Sequence, residues 1–111
     1  LLDRAIVDIT VINDIPTPEL IIRETANYYN LSQEDLKGVS RSREKTLGRQ
    51  IAMYLMRQLT NLSLNDIGKE LGRNHTTALS SIRRIEELMA SDQAITIVIR
   101  DITSNITSST G

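Results

Sequence analysis

The chain has 111 residues, a hydrophobic content of 40% and a net charge of −1, which together allow one modest hydrophobic core. It contains no cysteine and one histidine, so a disulfide framework and a conventional structural zinc site are excluded. No apolar stretch approaches the length of a membrane span, and the N-terminus lacks the charged start and apolar core of a signal peptide. We therefore expect a cytoplasmic domain with no metal, no cofactor and no membrane segment.

Composition also predicts the domain boundaries. Residues 1–15 are ambiguous between helix and strand and are interpreted as a linker or the tail of a preceding domain, and a start at Leu1 rather than Met favours an excised fragment. Residues 16–108 are predicted to form the folded domain. The chain is polar from Ser104 onwards, which predicts a frayed C-terminus over residues 109–111.

Three helices are predicted in the first half of the domain. Thr17 followed by Pro18 is typical of a helix start, with Thr as the cap and Pro in the first turn. A short second helix is predicted after Ser32, and residues 37–45 then form a basic loop. The third helix is long, and its apolar positions face the core: Ile51, Leu55 and Leu59.

The fourth helix and the turn after it carry clear local signals. Leu64, Ile67 and Leu71 share one helical face. Ser63 and Asp66 have the spacing of a capping box at its start. Gly72 suits the left-handed residue that ends a helix.

The fifth helix is predicted to begin after the cap Asn74, at about residue 75, and to end near residue 90. Its apolar side comprises Ala78, Leu79, Ile82, Ile85 and Met89. Two helices joined by a turn over residues 72–74 match the helix-turn-helix arrangement, whose second helix enters the major groove of DNA. Taken alone, the pattern fits two ordinary packed helices equally well.

The last predicted element lies within residues 92–107. The β-branched run over residues 94–99 has strand propensity. A helix is nevertheless favoured because the apolar residues keep the helical spacing beyond the run: Ile95, Val98, Ile99, Ile102 and Ile106.

Charge is distributed unevenly along the chain. Residues 37–84 contain ten Lys or Arg and three acidic residues, whereas residues 1–36 and 85–111 are both acidic overall. A polyanion responds to the local potential within about one Debye length, roughly 8–10 Å, and not to the net charge. The basic centre therefore favours a nucleic-acid-binding surface over two ordinary packed helices.

The motifs of this central region resemble a known family. Residues 67–68 and 71–77, preceded by residues 49–55 and 59–64, are similar in order and spacing to the C-terminal DNA-binding domain of the bacterial chromosomal replication initiator DnaA. The resemblance runs from residue 17 to residue 106. It implies a compact all-α helical bundle with a helix-turn-helix, related to the Trp-repressor type, that binds double-stranded DNA at short sites called DnaA boxes.

The resemblance also implies which residues contact DNA. Arg41 matches a basic-loop arginine that enters the minor groove, in keeping with the attraction of a guanidinium to a narrow, negative groove. The residues matched to base reading in the major groove are Asn74, His75, Thr76 and Thr77. Those expected to contact phosphate are Lys45, Arg49, Gln50, Arg57 and Arg73.

The chain departs from the family pattern at three places. Asn74 stands where the family generally has Asp, which keeps the cap, adds a donor and predicts an altered base preference. Leu47-Gly48 stands where Arg-Pro is frequent, which removes one cation near the phosphates. Asn65 replaces a frequent Pro, a change expected to affect only the fourth helix.

The sequence also bears on functions other than DNA binding. Gly68-Lys69 is followed by Glu70, not by the Ser or Thr of a phosphate-binding loop, so the chain is not expected to be an enzyme or to take a small-molecule substrate. One alternative is a protein-interaction module that docks a replication regulator. Another is a DnaA-like domain borrowed by a mobile-element or regulatory protein. The domain itself is expected to be monomeric.

Overall fold

The computed structural model describes residues 15–110, and these residues form α-helices and no strand. The helices are α1 (Pro18–Tyr28), α2 (Gln33–Lys37), α3 (Arg43–Leu59), α4 (Leu64–Glu70), α5 (His75–Ser91) and α6 (Gln93–Thr110). The predicted all-α class is thus confirmed. The prediction for the N-terminal tail lies outside the described residues except at Ile15, which is exposed.

Side-chain caps fix the helix starts where the sequence predicts them. The Thr17 hydroxyl accepts from the Leu20 N–H at 3.1 Å, with Pro18 in the first turn. A full capping box forms at Ser32 and Asp35, in which each side chain accepts from the other residue's N–H, at 3.0 and 2.9 Å. At Ser63 the hydroxyl accepts from Asp66 N–H at 3.1 Å, so the hydroxyl half of the predicted box is present.

Helix α3 is the centre of the bundle, because it contacts all five other helices. Its inward face is almost fully buried and comprises Ile51, Ala52, Met53, Leu55 and Met56. Leu59, also predicted to face the core, is half-buried at the end of the helix. Since the chain has no Phe or Trp, Ile, Leu and Met fill the interior.

Helix α6 confirms the choice of helix over strand for the β-branched run. Ile95, Ile99, Ile102 and Ile106 are buried, in agreement with the helical spacing. The helix continues to Thr110, within the segment for which a frayed end is predicted. Burial of Ile106 anchors this polar segment, and the Thr103 and Ser109 hydroxyls donate to carbonyls one turn earlier, at 2.7 and 3.0 Å.

Helix α5 begins within one residue of its predicted start and ends at Ser91. It packs against α3, α4 and α6. Ala78, Ile82 and Ile85 are buried in these contacts, whereas the first turn is exposed. The packing therefore fixes the position of α5 against the bundle and leaves its N-terminal end facing solvent.

Candidate nucleic-acid interface

The turn between α4 and α5 depends on two glycines. Gly72 has φ of 69°, in the left-handed region where a Cβ is unfavourable. Gly68 lies under the turn, and a Cβ added there would meet the carbonyl oxygens of Arg73 and Asn74 at 2.6 and 2.7 Å. The Arg73 N–H donates to the Gly68 carbonyl at 2.7 Å. The backbone of the turn thus lies directly on α4, which fixes the direction in which α5 leaves.

The first turn of α5 presents the residues predicted to read bases. Asn74 is the N-cap, and its Oδ1 accepts from the Thr77 N–H at 2.9 Å. Asn74, His75 and Thr76 are exposed. Thr77 is half-buried, and its carbonyl accepts from the Ser80 hydroxyl at 3.0 Å. Three of the four predicted readers are therefore freely accessible at the helix end, and Thr77 is the most enclosed.

A shallow groove continues from these residues along α5. The groove has a volume of ≈ 380 Å³. Thr76 lines it together with Leu79, Ser80 and Arg83. Leu79 was predicted to belong to the core, but it is half-buried and borders this groove. The sequence does not reveal the partial exposure of Leu79, because helical spacing alone does not separate a core residue from one at the edge of the core.

The basic loop between α2 and α3 is held by Arg49. Its guanidinium donates to four backbone carbonyls, those of Asp35, Leu36, Gly38 and Ser40, at 3.3, 2.7, 3.0 and 3.3 Å. The side chain is buried, and only 7% of the residue is exposed. Burial lowers the pKa of Arg49, and the neighbouring charge of Arg73 lowers this pKa further.

This placement corrects the role expected for Arg49. The resemblance implied a phosphate contact, whereas the guanidinium is turned into the protein and occupied by carbonyl oxygens. The short helix α2 leaves its last carbonyls without intrahelical partners, and a cation at a helix C-terminus satisfies them. Arg49 therefore shapes the basic loop and is not a surface cation.

Arg73 joins the helix-turn-helix to the same loop. Its Nη2 donates to the Gly38 carbonyl at 2.6 Å, and its Nη1 donates to the carbonyls of Lys37 and Leu71 at 3.3 and 2.7 Å. Arg41 is exposed beside this link. Arg41 and Arg73 line one depression of ≈ 550 Å³, which also contains Val39 and Thr46. The minor-groove candidate and the turn before α5 are thus parts of one connected surface.

Lys45 and Gln50 lie on the first half of α3. The Lys45 ammonium is 3.3 Å from the Asp35 carboxylate. The Ser32 backbone N–H lowers the pKa of Asp35, and Lys45 adds to this effect against the opposing influence of desolvation. Gln50 is half-buried and lines a depression of ≈ 350 Å³ with Arg41, Arg43 and Arg84.

Two of these arginines were absent from the predicted site. Arg43 and Arg84 are exposed, and the charge count of the central region was the signal that included them. Arg84 also approaches Glu87, with 3.7 Å between Nη1 and Oε1.

Arg57 is exposed in the last turn of α3, roughly 21 Å along the helix axis from Arg43 at 1.5 Å per residue. Arg57 therefore lies apart from the cluster.

Metal-ligand clusters and membrane-spanning helices are two further features that a chain of this kind could carry. Among residues 15–110, no group of three His, Cys, Asp or Glu side chains is placed to hold a metal ion. Within the same residues, no helix has the length and apolarity required to cross a membrane. The exposed start of α5, the basic loop and the cations around them form the candidate interface.

Comparison with known proteins identifies the family. The family described as "Bacterial dnaA protein helix-turn-helix" matches residues 18–85, which include the basic loop, α3, the turn and most of α5. The chain belongs to this family. The matched region of the DnaA family is a helix-turn-helix domain and not an enzyme domain.

Individual relatives agree with this assignment. The chain is 47% identical over 91 residues to the chromosomal replication initiator protein DnaA of Cutibacterium acnes, a match that covers 81% of this chain and 18% of the relative. The DnaA proteins of Crocosphaera subtropica and Gloeothece citriformis are also 47% identical, and in each the match covers 81% of this chain and 20% of the relative. The chain thus spans about a fifth of the length of these DnaA relatives.

A solved structure shows the same fold. A crystal structure described as a DNA replication initiation factor superposes with a TM-score of 0.72 at 28% sequence identity, covering 82% of this chain and 28% of that one. Helix-turn-helix architecture in this DnaA-family chain therefore has support from both sequence and structure.

Proposed function

We propose that this chain binds double-stranded DNA sequence-specifically, at short sites of the DnaA-box type, as the DNA-binding domain of a replication initiator. The observation that carries the proposal is the link through Arg73, which ties the exposed basic loop to the turn that starts α5. A loop that enters the minor groove and a helix that enters the major groove must keep a fixed separation to read one duplex together.

Base reading is assigned to the exposed start of α5. His75 and Thr76 offer groups that match base edges, because an imidazole donates or accepts and a threonine methyl packs on the thymine methyl. Thr77 is assigned a smaller part, since it is half-buried and its N–H serves the cap. Arg41 is assigned to the minor groove, where a narrow A·T-rich segment concentrates negative potential.

Phosphate contacts are assigned to cations around this centre and to Arg57, which lies farther along α3. Lys45, Arg57 and the accessible side of Arg73 retain the role that the family resemblance implies, and Gln50 contributes an uncharged contact. Arg43 and Arg84 join them because they border the same depression as Arg41 and Gln50. These contacts orient the domain on the duplex and carry no sequence information themselves.

The proposal is tested by fluorescence anisotropy with a labelled DnaA-box duplex and a scrambled duplex of equal length. If about five phosphates are neutralised, log affinity should fall against log salt with a slope of about −4.5. Tighter binding of the box than of the scrambled duplex is expected throughout. Equal affinity for both duplexes, or a slope near zero, would contradict the proposal.

Two substitutions separate base reading from phosphate binding. His75→Ala should weaken binding to the box by on the order of 1–3 kcal/mol and reduce the preference over scrambled DNA. Arg57→Ala, the control, should weaken both duplexes by the same factor. Equal losses on both duplexes for His75→Ala would remove the histidine from base reading.

A further inference from the structure

We propose that Asn74 reads DNA through the N–H groups of its side-chain amide, and that it selects guanine over cytosine at its contact position. This inference rests on the proposed function and adds the chemistry of one contact. It depends on the orientation of a single amide group at the exposed start of α5.

The cap fixes that orientation. The Thr77 N–H donates to the Asn74 side chain at 2.9 Å, and only the amide oxygen can accept this bond. Oδ1 is therefore directed at the helix by chemistry, and no exchange of the oxygen and nitrogen positions is compatible with the cap. Asn74 is exposed, and its Nδ2 has no hydrogen-bond partner among the described residues. Two N–H donors are left for a ligand.

The bases differ in how they meet two donors. In the major groove guanine presents two acceptors, O6 and N7, whereas cytosine presents the N4 amino group, which is itself a donor. The bidentate contact of an asparagine with adenine requires its oxygen and nitrogen to face the same base. Here that contact would have to share the oxygen of Asn74 with the Thr77 N–H, whereas the amide N–H groups are not engaged by the cap. Guanine is thus the best match. With cytosine, the amide N–H groups of Asn74 would face the N4 amino group, which is also a donor.

The same geometry explains why the cap and the contact do not compete. The cap uses the oxygen, and base reading uses the nitrogen, so Asn74 performs both roles without rotating its side chain. A fixed side chain also loses little conformational freedom on binding. The contact is consequently preorganised before DNA arrives.

The test exchanges the donor for an acceptor. Asn74→Asp keeps a capping oxygen and nearly the same shape, but its second oxygen can only accept. Affinities are measured for the wild type and this variant on a set of box duplexes in which each position carries each of the four base pairs in turn. At one position the wild type should prefer guanine over cytosine by about 5- to 150-fold, the range that one base contact supplies. The variant should prefer cytosine at that same position.

Two controls isolate the donor effect. Asn74→Asp adds a negative charge that weakens binding to every duplex, so the ratio between base pairs is compared and not the affinity itself. Asn27→Asp makes the same chemical change at an exposed position of α1 and should leave every ratio unchanged. Asn74→Ser keeps a capping oxygen and should lose the guanine preference while retaining the wild-type helix content by circular dichroism.

The outcomes distinguish failure of this inference from failure of the proposed DNA-binding function. Reversal at a single position, with the other positions unchanged, supports reading through the amide N–H groups of Asn74. If the wild type is selective but Asn74→Asp leaves every base ratio unchanged, the inference is overturned and the proposed function stands. If the wild type does not discriminate between box and scrambled duplexes, the proposed function and the inference both fail.

Discussion

Arg49 and Arg73 donate to the same acceptor, the carbonyl oxygen of Gly38, at 3.0 and 2.6 Å. Two guanidinium groups at one oxygen repel each other, and this repulsion contributes to the lowered pKa of Arg49. The arrangement persists because each arginine satisfies further carbonyls, at the end of α2 and at the end of α4. The basic loop is therefore joined by hydrogen bonds to α3 on one side and to the helix-turn-helix on the other.

Replacement of Arg49 by lysine should destabilise the domain. A lysine ammonium lacks the planar fork that reaches several carbonyls at once, so Arg49→Lys leaves carbonyl groups of the loop without donors. The free energy of unfolding should fall by about 2–3 kcal/mol, in line with the loss of hydrogen bonds to a charged group. Urea denaturation followed by circular dichroism measures this change.

Arg43→Lys provides the matched control for that measurement. Arg43 is exposed, and surface substitutions of this kind change stability by less than about 0.5 kcal/mol. Equal urea midpoints for Arg49→Lys and the wild type would show that the carbonyl contacts of Arg49 contribute nothing to stability.

The loop contacts should also couple Arg41 to Arg49 in DNA binding. If Arg49 holds the loop, Arg41→Ala should cost less affinity in the Arg49→Lys background than in the wild type, since a displaced loop no longer delivers Arg41 to the groove. A double-mutant cycle by anisotropy should give a coupling of about 0.5–3 kcal/mol. Additive losses would mean that the two arginines act independently.

Replacement of base pairs in the duplex identifies the groove in which Arg41 is coupled to Arg49. Replacing A·T pairs by inosine·cytosine keeps the minor-groove acceptors and changes the major-groove pattern. The coupling between Arg41 and Arg49 should survive this replacement on DNA that still binds. Loss of the coupling together with the major-groove pattern would contradict the minor-groove assignment of Arg41.

Close packing under the turn should make Gly68 intolerant of a side chain. In Gly68→Ala the new methyl group would lie 2.6 Å from the Arg73 carbonyl oxygen, and backbone there must move. We expect a loss of about 1–3 kcal/mol in stability, as in overpacked cores, and weaker DNA binding because α5 changes direction. Thermal unfolding and anisotropy measure the two effects.

Gly48 supplies the control, because it also lies inside a helix. A Cβ at Gly48 meets the Leu36 Cδ2 at 2.9 Å, which is the end of a side chain and can rotate. Alanine also favours a helix over glycine by roughly 1 kcal/mol. Gly48→Ala should therefore cost clearly less stability than Gly68→Ala, and a similar loss for both would show that the turn carries no special constraint.

Local signals explain how much of this fold the sequence predicts. Helix starts at Thr17, Ser32, Ser63 and Asn74 are readable because a cap and its partner N–H lie within three residues. The turn after α4 can also be predicted locally, since a glycine, Gly72, stands at its left-handed position. The cap at Asn74 and the turn at Gly72 together place the residues predicted to read bases at the exposed start of α5.

Long-range contacts explain what the sequence leaves open. Arg49 is one of ten cations in the central region, and nothing in its neighbours shows that its guanidinium turns inward to carbonyls 9 to 14 residues away. The half-burial of Leu79 has a related cause, since burial depends on which helices pack against a residue. Local patterns thus predict the elements, and tertiary packing decides which charges remain available to DNA.

The capping box at the start of α2 should make stability depend on acid pH. Because the Ser32 N–H and Lys45 lower the pKa of Asp35 in the folded state, the stabilisation is present above the unfolded pKa, about 3.9, and is lost as pH falls through the lower folded value. Melting temperatures from pH 7 to pH 2.5 should fall less steeply for Asp35→Asn than for the wild type. Asp66→Asn is the control, because Asp66 has the same helix position without the reciprocal bond. A wild-type acid dependence in Asp35→Asn would assign the effect to other carboxylates.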